Sequence, residues 1–187
     1  MDYKLSILIP TLECRNKLFC EAIQALNSQI DRSIVQVIIN KDNGQKSIGK
    51  KRNELLQLAE GEYLCFFDDD DMPSSTYIEE ILKGIDKGVD CVSLRGVITW
   101  DGENPEIFEH SIRYSEYKTN YDNPIKYERY PNHLNAIKAS IAKQFQFPEV
   151  NFGEDTDWAT QIFKSGLIKT EHYINSVIYH YNYVTAK

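Results

Sequence analysis

Four consecutive aspartates, Asp68 to Asp71, follow the continuously apolar run Tyr63 to Phe67. Four carboxylates at such close quarters repel one another strongly, and a divalent cation with a preference for oxygen ligands relieves that repulsion. Alternate residues of an extended chain point the same way, so Asp68 and Asp70 can face one ligand while Asp69 and Asp71 face elsewhere or cap the helix that follows. Magnesium or manganese suits such a pair, because either ion completes its shell with water and phosphate oxygens. The pair therefore implies a phosphate-bearing substrate. Read alone, the same residues also make a helix cap and a solvated loop.

Two further groups carry chemistry. Lys50, Lys51 and Arg52 form the one tight basic cluster, at the start of a helix where they can add positive charge against phosphates; taken alone, they read as a solvated helix face. Near the C-terminus, Gly153-Glu154-Asp155-Thr156-Asp157-Trp158 places three carboxylates at a helix start beside a glycine. A carboxylate held there can act as a general base on a hydroxyl. The plainer reading is three acids on a helix dipole with Trp158 in the core.

The elements that must position these residues alternate. Leu5 to Ile9 is a short, nearly all-apolar run that reads as a strand buried on both faces, ended by Pro10 and Thr11. Helical spacing of apolar residues follows over Lys17 to Gln29, then a strand over Ile34 to Ile39 with turn chemistry from Asn40 to Gly44. Ser47 is a fair N-cap for a second helix that stops at Gly61. Tyr63 to Phe67 is the third strand, Met72 to Ser75 opens a helix through Lys83, and Val89 to Leu94 is the fourth strand. From Trp100 to Pro131 the pattern loosens, with strands near Glu106 to Tyr114 and Tyr127 to Tyr130. Helices at Ala139 to Phe145 and Asp155 to Lys164 and a strand at Tyr173 to Tyr181 close one domain over 1–187. This alternation predicts an α/β fold with a doubly wound, mostly parallel sheet and ligands at the carboxyl ends of its strands.

Composition narrows the partners. The chain has 187 residues, a formal charge of −7, 42% hydrophobic and 12% aromatic residues, and a pI near 5.1. That balance suits a folded domain and lacks the basic footprint that nucleic-acid binding requires. No apolar run is long enough for a signal-peptide core or a transmembrane segment. Cys14, Cys20, Cys65 and Cys91 show neither CxxC pairing nor zinc-ligand spacing, so reduced thiols and a cytoplasmic protein are expected.

Together these motifs resemble glycosyltransferase family 2, the inverting enzymes of GT-A fold, over nearly all of the chain. Ser6 to Thr11 looks like the family's opening strand, Ile48 to Asn53 its helix before the DxD strand, Gly61 to Asp71 that strand, and Gly153 to Trp158 the later acidic motif. The resemblance implies a Mn²⁺- or Mg²⁺-dependent hexosyltransferase taking a nucleotide-sugar donor, UDP-linked, and a glycan or lipid-linked glycan acceptor, in polysaccharide biosynthesis. It implies that residues 1–95 bind the donor and 96–187 the acceptor. Pro10, Thr11, Asp42, Lys51, Arg52, Asn53, Asp68 and Asp69 would hold the nucleotide sugar, with Asp42 near the base. Asp68 and Asp70 would meet the metal, joined by His180 of the last strand. Asp155 would be the base and Glu154 would position the acceptor. Here Asn40 to Gly44 departs from the paired acids usual at the second strand's end.

Tyr114, Tyr117, Tyr121, Tyr127 and Tyr130, beside Lys118 and Lys126, read either as a platform for sugar rings or as aromatic cover for the sheet edge. A nucleotidyltransferase, the rival enzyme, should carry a glycine-rich loop after the first strand, and Thr11 to Asn16 holds no glycine. A non-catalytic nucleotide-sugar-binding module is the rival from another class.

Overall fold

A computed structural model describes residues 3–184. One ten-stranded sheet organises the molecule, with helices on both faces. The strands are β1 (Leu5–Leu12), β2 (Val35–Asp42), β3 (Tyr63–Phe66), β4 (Met72–Pro73), β5 (Cys91–Trp100), β6 (Glu103–His110), β7 (Lys118–Thr119), β8 (Ile125–Arg129), β9 (Ala136–Lys138) and β10 (Glu171–Tyr183). The helices are α1 (Asn16–Asn27), α2 (Ile48–Leu58), α3 (Tyr77–Ile85), α4 (Ala139–Ala142) and α5 (Glu154–Ser165). The main path through the sheet runs β2-β1-β3-β9-β5-β6-β8-β7. β1 pairs in parallel with β2 and β3, β5 with β10, and β6 with β8; the pairings of β9 with β3 and β5, β4 with β10, β5 with β6, and β7 with β8 are antiparallel.

Alternation along the strands explains their unbroken apolar runs. In β1, Leu5, Ile7 and Ile9 enter one core, shared with Ala22 and Leu26 of α1 and Tyr77, Ile78 and Ile81 of α3. Leu8 enters the other, with Leu55 and Leu56 of α2, Ile141 of α4, and Trp158 and Ile162 of α5. β3 divides in the same way, Tyr63 and Cys65 to the first core and Leu64 and Phe66 to the second. Burying one large aliphatic or aromatic side chain contributes roughly 1.5–3 kcal/mol, so a strand with both faces covered gains about twice what a half-solvated one would.

Several boundaries differ from the sequence reading. β1 runs on to Leu12, because β3 stops pairing at Leu8↔Phe66 while β2 continues to Leu12↔Asp42, so Pro10 has a ladder neighbour on one side only. Consequently Asn40 to Asp42 belong to β2 rather than to a turn. Met72 and Pro73 form β4 against Tyr179 and His180 of β10, and the helix expected at Met72 begins at Tyr77. β9 had no counterpart in the sequence reading. Three residues with one Lys carry no periodic signal, yet they join β3 to β5. The expected boundary at residue 95 falls inside β5, and β9 and β10 of the second half complete the sheet of the first. No helix among the described residues is long and apolar enough to cross a membrane.

The start of α2 is stitched to the loop that leads into α5. Ser47 caps the helix by accepting from the Lys50 amide, the Ile48 amide donates to the Asn151 side chain, and the Gly49 amide donates to the Val150 carbonyl. A β-carbon on Gly49 would stand 1.9 Å from the Pro148 carbonyl oxygen. Gly to Ala inside a helix ordinarily stabilises by about 1 kcal/mol, but forcing backbone apart in a packed region costs about 1–3 kcal/mol. Gly49→Ala is therefore expected to lower the urea-unfolding stability by up to about 2 kcal/mol, the net of the two; a gain would mean that the loop is not tied to the helix.

Candidate active site

The aspartate run leaves β3 where the main-chain ladder ends, and each carboxylate finds a different environment. Asp68 accepts from Arg52 Nη2 at 2.9 Å and lies 3.2 Å from His133 Nε2. Burial alone would raise its carboxyl, yet Arg52 and His133 hold it well below the ordinary range. Asp69 is buried and accepts from the Thr11 hydroxyl at 2.6 Å and from Arg15 at 2.7 Å. Asp70 is half-buried and, among the side chains of the described residues, meets only the same Arg15 nitrogen, at 3.1 Å. Its carboxyl is raised by burial, opposed by Arg15 and reinforced by Asp68 and Asp69. Asp71 is fully buried, accepting from the Tyr179 hydroxyl at 2.6 Å and the Asn182 amide at 2.9 Å, which ties β10 to the loop. Asp69 and Asp71 are thus structural anchors, and neither caps α3.

Arg52 is the hub. Its side chain is 5% exposed and reaches Asp68 on one side and Glu154 Oε1, at 3.3 Å, on the other. The guanidinium carbon sits 5.0 Å from the centroid of Phe66 and 5.8 Å from that of Phe147. Lys51 is likewise buried, donating to Asp42 at 2.8 Å and to the Thr11 carbonyl at 2.9 Å. The solvated-face reading of Lys50 to Arg52 is therefore corrected, since two of the three side chains are inside. The amides at the start of α2 are also satisfied by protein, so this helix end presents no free anion site.

Two clefts meet at these residues. A cleft of about 600 Å³ is bordered by Pro10, Thr11, Arg15, Lys46, Lys51 and the carboxylates Asp68 to Asp70. A second, of about 480 Å³, is bordered by Trp100, Tyr117, Tyr127, Arg129, His133 and Asp155. Arg52, Asp68, Asn151, Phe152, Glu154 and Tyr181 line both. Gly153, at φ +78°, turns the chain into α5 so that Glu154 faces Arg52 and Asp155 faces the second cleft. Asp155 Oδ2 lies 3.6 Å from His133 Nδ1. His133 therefore stands between Asp68 and Asp155, and its Nδ1 is buried with no hydrogen-bond partner among the described residues.

Of the residues expected to bind the nucleotide sugar, Pro10, Thr11, Lys51, Arg52, Asp68 and Asp69 line the first cleft. Asp42 and Asn53 do not. Asp42 is held low by its hydrogen bond to Lys51 and accepts from the Gly44 and Lys46 amides, so it shapes the wall from behind. Asn53 closes on the amide and carbonyl of Phe147. His180 is exposed and lines neither cleft; Tyr179 and Tyr181 face the aspartates, and alternation along β10 puts His180 on the other side. It is not brought to Asp68 and Asp70. Among the tyrosines, Tyr117 and Tyr127 line the second cleft. Tyr114 bonds Glu109, Tyr121 is 83% exposed, and Tyr130 stacks on Phe163, so platform and cover are both present. His133 is a site residue that sequence reasoning missed, as it did Arg15, Lys46 and Arg129 of the cleft walls; it is a lone histidine in Asn-His-Leu-Asn with no motif around it.

Among the described residues, no group of three or more His, Cys, Asp or Glu side chains is placed to hold a metal on its own. What the first cleft offers is hard oxygen, from Asp70, crowded by like charges, and from Asp68. That donor set fits a magnesium- or manganese-like ion whose remaining ligands are phosphate oxygens and water.

A family model described as glycosyl transferase family 2 matches residues 34–147. No curated protein matches the chain by sequence. Among solved structures, S. aureus TarS 1–349 in complex with UDP-GlcNAc superposes with a TM-score of 0.75 at 16% identity, over 98% of this chain and 60% of that one. The same fragment with UDP gives 0.72 at 17% identity, over 96% and 60%. These likenesses show that the fold is shared, and this chain spans about 60% of the TarS fragment's length.

The second cleft also carries a buried titrating group. Burial, with His133 and Arg129 nearby, holds the His110 imidazole down to about 3, against an Asn135 hydrogen bond that favours the proton. The unfolded chain binds that proton near 6.5, so the stability contributed by neutral His110 is complete above 6.5 and is lost as pH falls towards 3. The slope is about 1.4 kcal/mol per pH unit for one proton. His110→Gln is expected to remove that slope between pH 6 and 4 in urea unfolding; parallel curves for the two proteins would contradict a buried neutral imidazole.

Proposed function

The chain belongs to glycosyl transferase family 2, and from that premise we propose that it transfers a sugar from a nucleoside diphosphate sugar, UDP-linked, to an acceptor hydroxyl with inversion. The observation that carries this reading is the pair of clefts sharing Arg52, Asp68 and Glu154, one rich in carboxylates and cations and the other lined by aromatics with Asp155 at its edge. Two substrates seated in adjoining clefts can react in one displacement, without a covalent sugar–enzyme intermediate. The binding of UDP-GlcNAc by TarS, which has the same fold, supports a UDP-sugar donor.

In this reading the nucleotide and diphosphate occupy the first cleft, where Arg15, Lys46 and Lys51 supply positive charge. Asp70 and Asp68 would hold Mn²⁺ or Mg²⁺ there, which would supply positive charge against the diphosphate. Asp155 takes the proton from the acceptor hydroxyl. His133, between Asp155 and Asp68, limits how that carboxylate can turn. Glu154, fixed by Arg52, borders the acceptor. The acceptor is proposed to be a glycan or lipid-linked glycan built in the cytoplasm during polysaccharide synthesis.

Calorimetric titration with UDP and UDP-GlcNAc, with and without Mn²⁺, is the direct test. Metal-dependent binding that Asp70→Ala abolishes is expected. Asp155→Asn is expected to keep nucleotide affinity while lowering turnover by about 10²–10⁴. Absence of nucleotide binding under every condition would sink the donor assignment, and a fully active Asp155→Asn would remove the proposed base.

A further inference from the structure

The second cleft contains a guanidinium that no carboxylate answers. Arg129 ends β8 half-buried, and among the described residues it makes no ion pair, whereas Arg15, Arg52, Arg95 and Arg113 each meet at least one acid. Its Nη1 donates to the backbone carbonyls of Lys118 and Glu128. Its carbon lies 4.9 Å from the Tyr117 ring centroid and 5.3 Å from that of Tyr127, so two aromatic faces clamp it at the wall of the cleft. Burial lowers its pKa, with Tyr117 and Tyr127 opposing. A cation kept partly out of water without a counter-charge is costly, and a ligand anion removes that cost.

The rest of the wall is aromatic. Trp100, Phe152 and Tyr181 line the cleft with Tyr117 and Tyr127, and flat rings of this kind pack against the C–H faces of sugar rings. Asp155 borders the same space. Resting on the reading of this cleft as the acceptor site, we infer that the acceptor is anionic, a glycan carrying a phosphate or carboxylate that seats on Arg129 while its hydroxyl faces Asp155. Arg129 thereby selects charged over neutral acceptors and fixes which way round the acceptor lies.

The test uses three probes, glucose 6-phosphate, glucuronate and glucose, titrated into protein saturated with UDP so that the phosphate cannot enter the first cleft. Binding is followed by tryptophan fluorescence, since Trp100 is in the wall. At least one anionic probe is expected to bind ten-fold or more tightly than glucose, and which one does so separates phosphate from carboxylate. Arg129→Gln is expected to reduce that probe to the level of glucose, with UDP affinity unchanged as the sign of an intact fold. Equal binding of the three probes, no binding of either anion, or a preference that survives in Arg129→Gln would overturn the inference. Failure of the unsubstituted protein to bind UDP would instead count against the donor reading.

Discussion

The arrangement depends on the burial of Arg52. A guanidinium taken out of water must have its charge answered, and here Asp68 answers it from the end of β3 and Glu154 from the start of α5. The two aromatic rings beside it, Phe66 and Phe147, exclude water and strengthen both ion pairs. The interaction therefore works as a registration device. It sets the distance between the strand that delivers the aspartates and the helix that delivers Asp155. The contacts between the start of α2 and the loop at Pro148 to Asn151 hold the same two elements from the backbone side. Geometry at the junction of the clefts is thus specified twice, once by charge and once by close approach.

The four aspartates show how one residue type acquires different roles over a few ångströms. Asp69 and Asp71 spend their lone pairs on Thr11, Arg15, Tyr179 and Asn182, joining the loop to β1 and β10. Asp68 is paired with Arg52 and lies within hydrogen-bond reach of His133. Only Asp70 is left with a single, partly exposed partner. The loop is consequently rigid at its buried positions and electrostatically frustrated at one accessible carboxylate, which is where a cation gains most.

Much of this was readable from residue order. Runs such as Leu5 to Ile9 and Tyr63 to Phe67 announce doubly covered strands because nothing in them tolerates water, and the acidic motifs stand out because their charge is locally dense. Less was readable where the cause is tertiary. Pro10 stays inside a strand because β3 has already left it. Lys51 and Arg52 look like a solvated face until Asp42, Asp68 and Glu154, far apart in sequence, are brought around them. Asp42 and Asn53 carry the right chemistry for a binding site but are turned to hold the scaffold. His133 has no local signal, since its role comes from Asp68 and Asp155 lying 65 and 22 positions away. His180 shows the reverse error, a residue type that suits a metal on the face of β10 that points away.

The shared wall between the clefts makes their occupancies thermodynamically linked. Arg52, Asp68, Glu154 and Tyr181 belong to both, so a ligand that draws on Arg52 or Asp68 from one side changes the charge and position of the groups seen from the other. Whatever factor a ligand in one cleft imposes on affinity in the other, the second ligand must impose on the first in return. The order in which two such ligands load is then a matter of their concentrations and rates, while the free energy of the doubly loaded state is the same by either route.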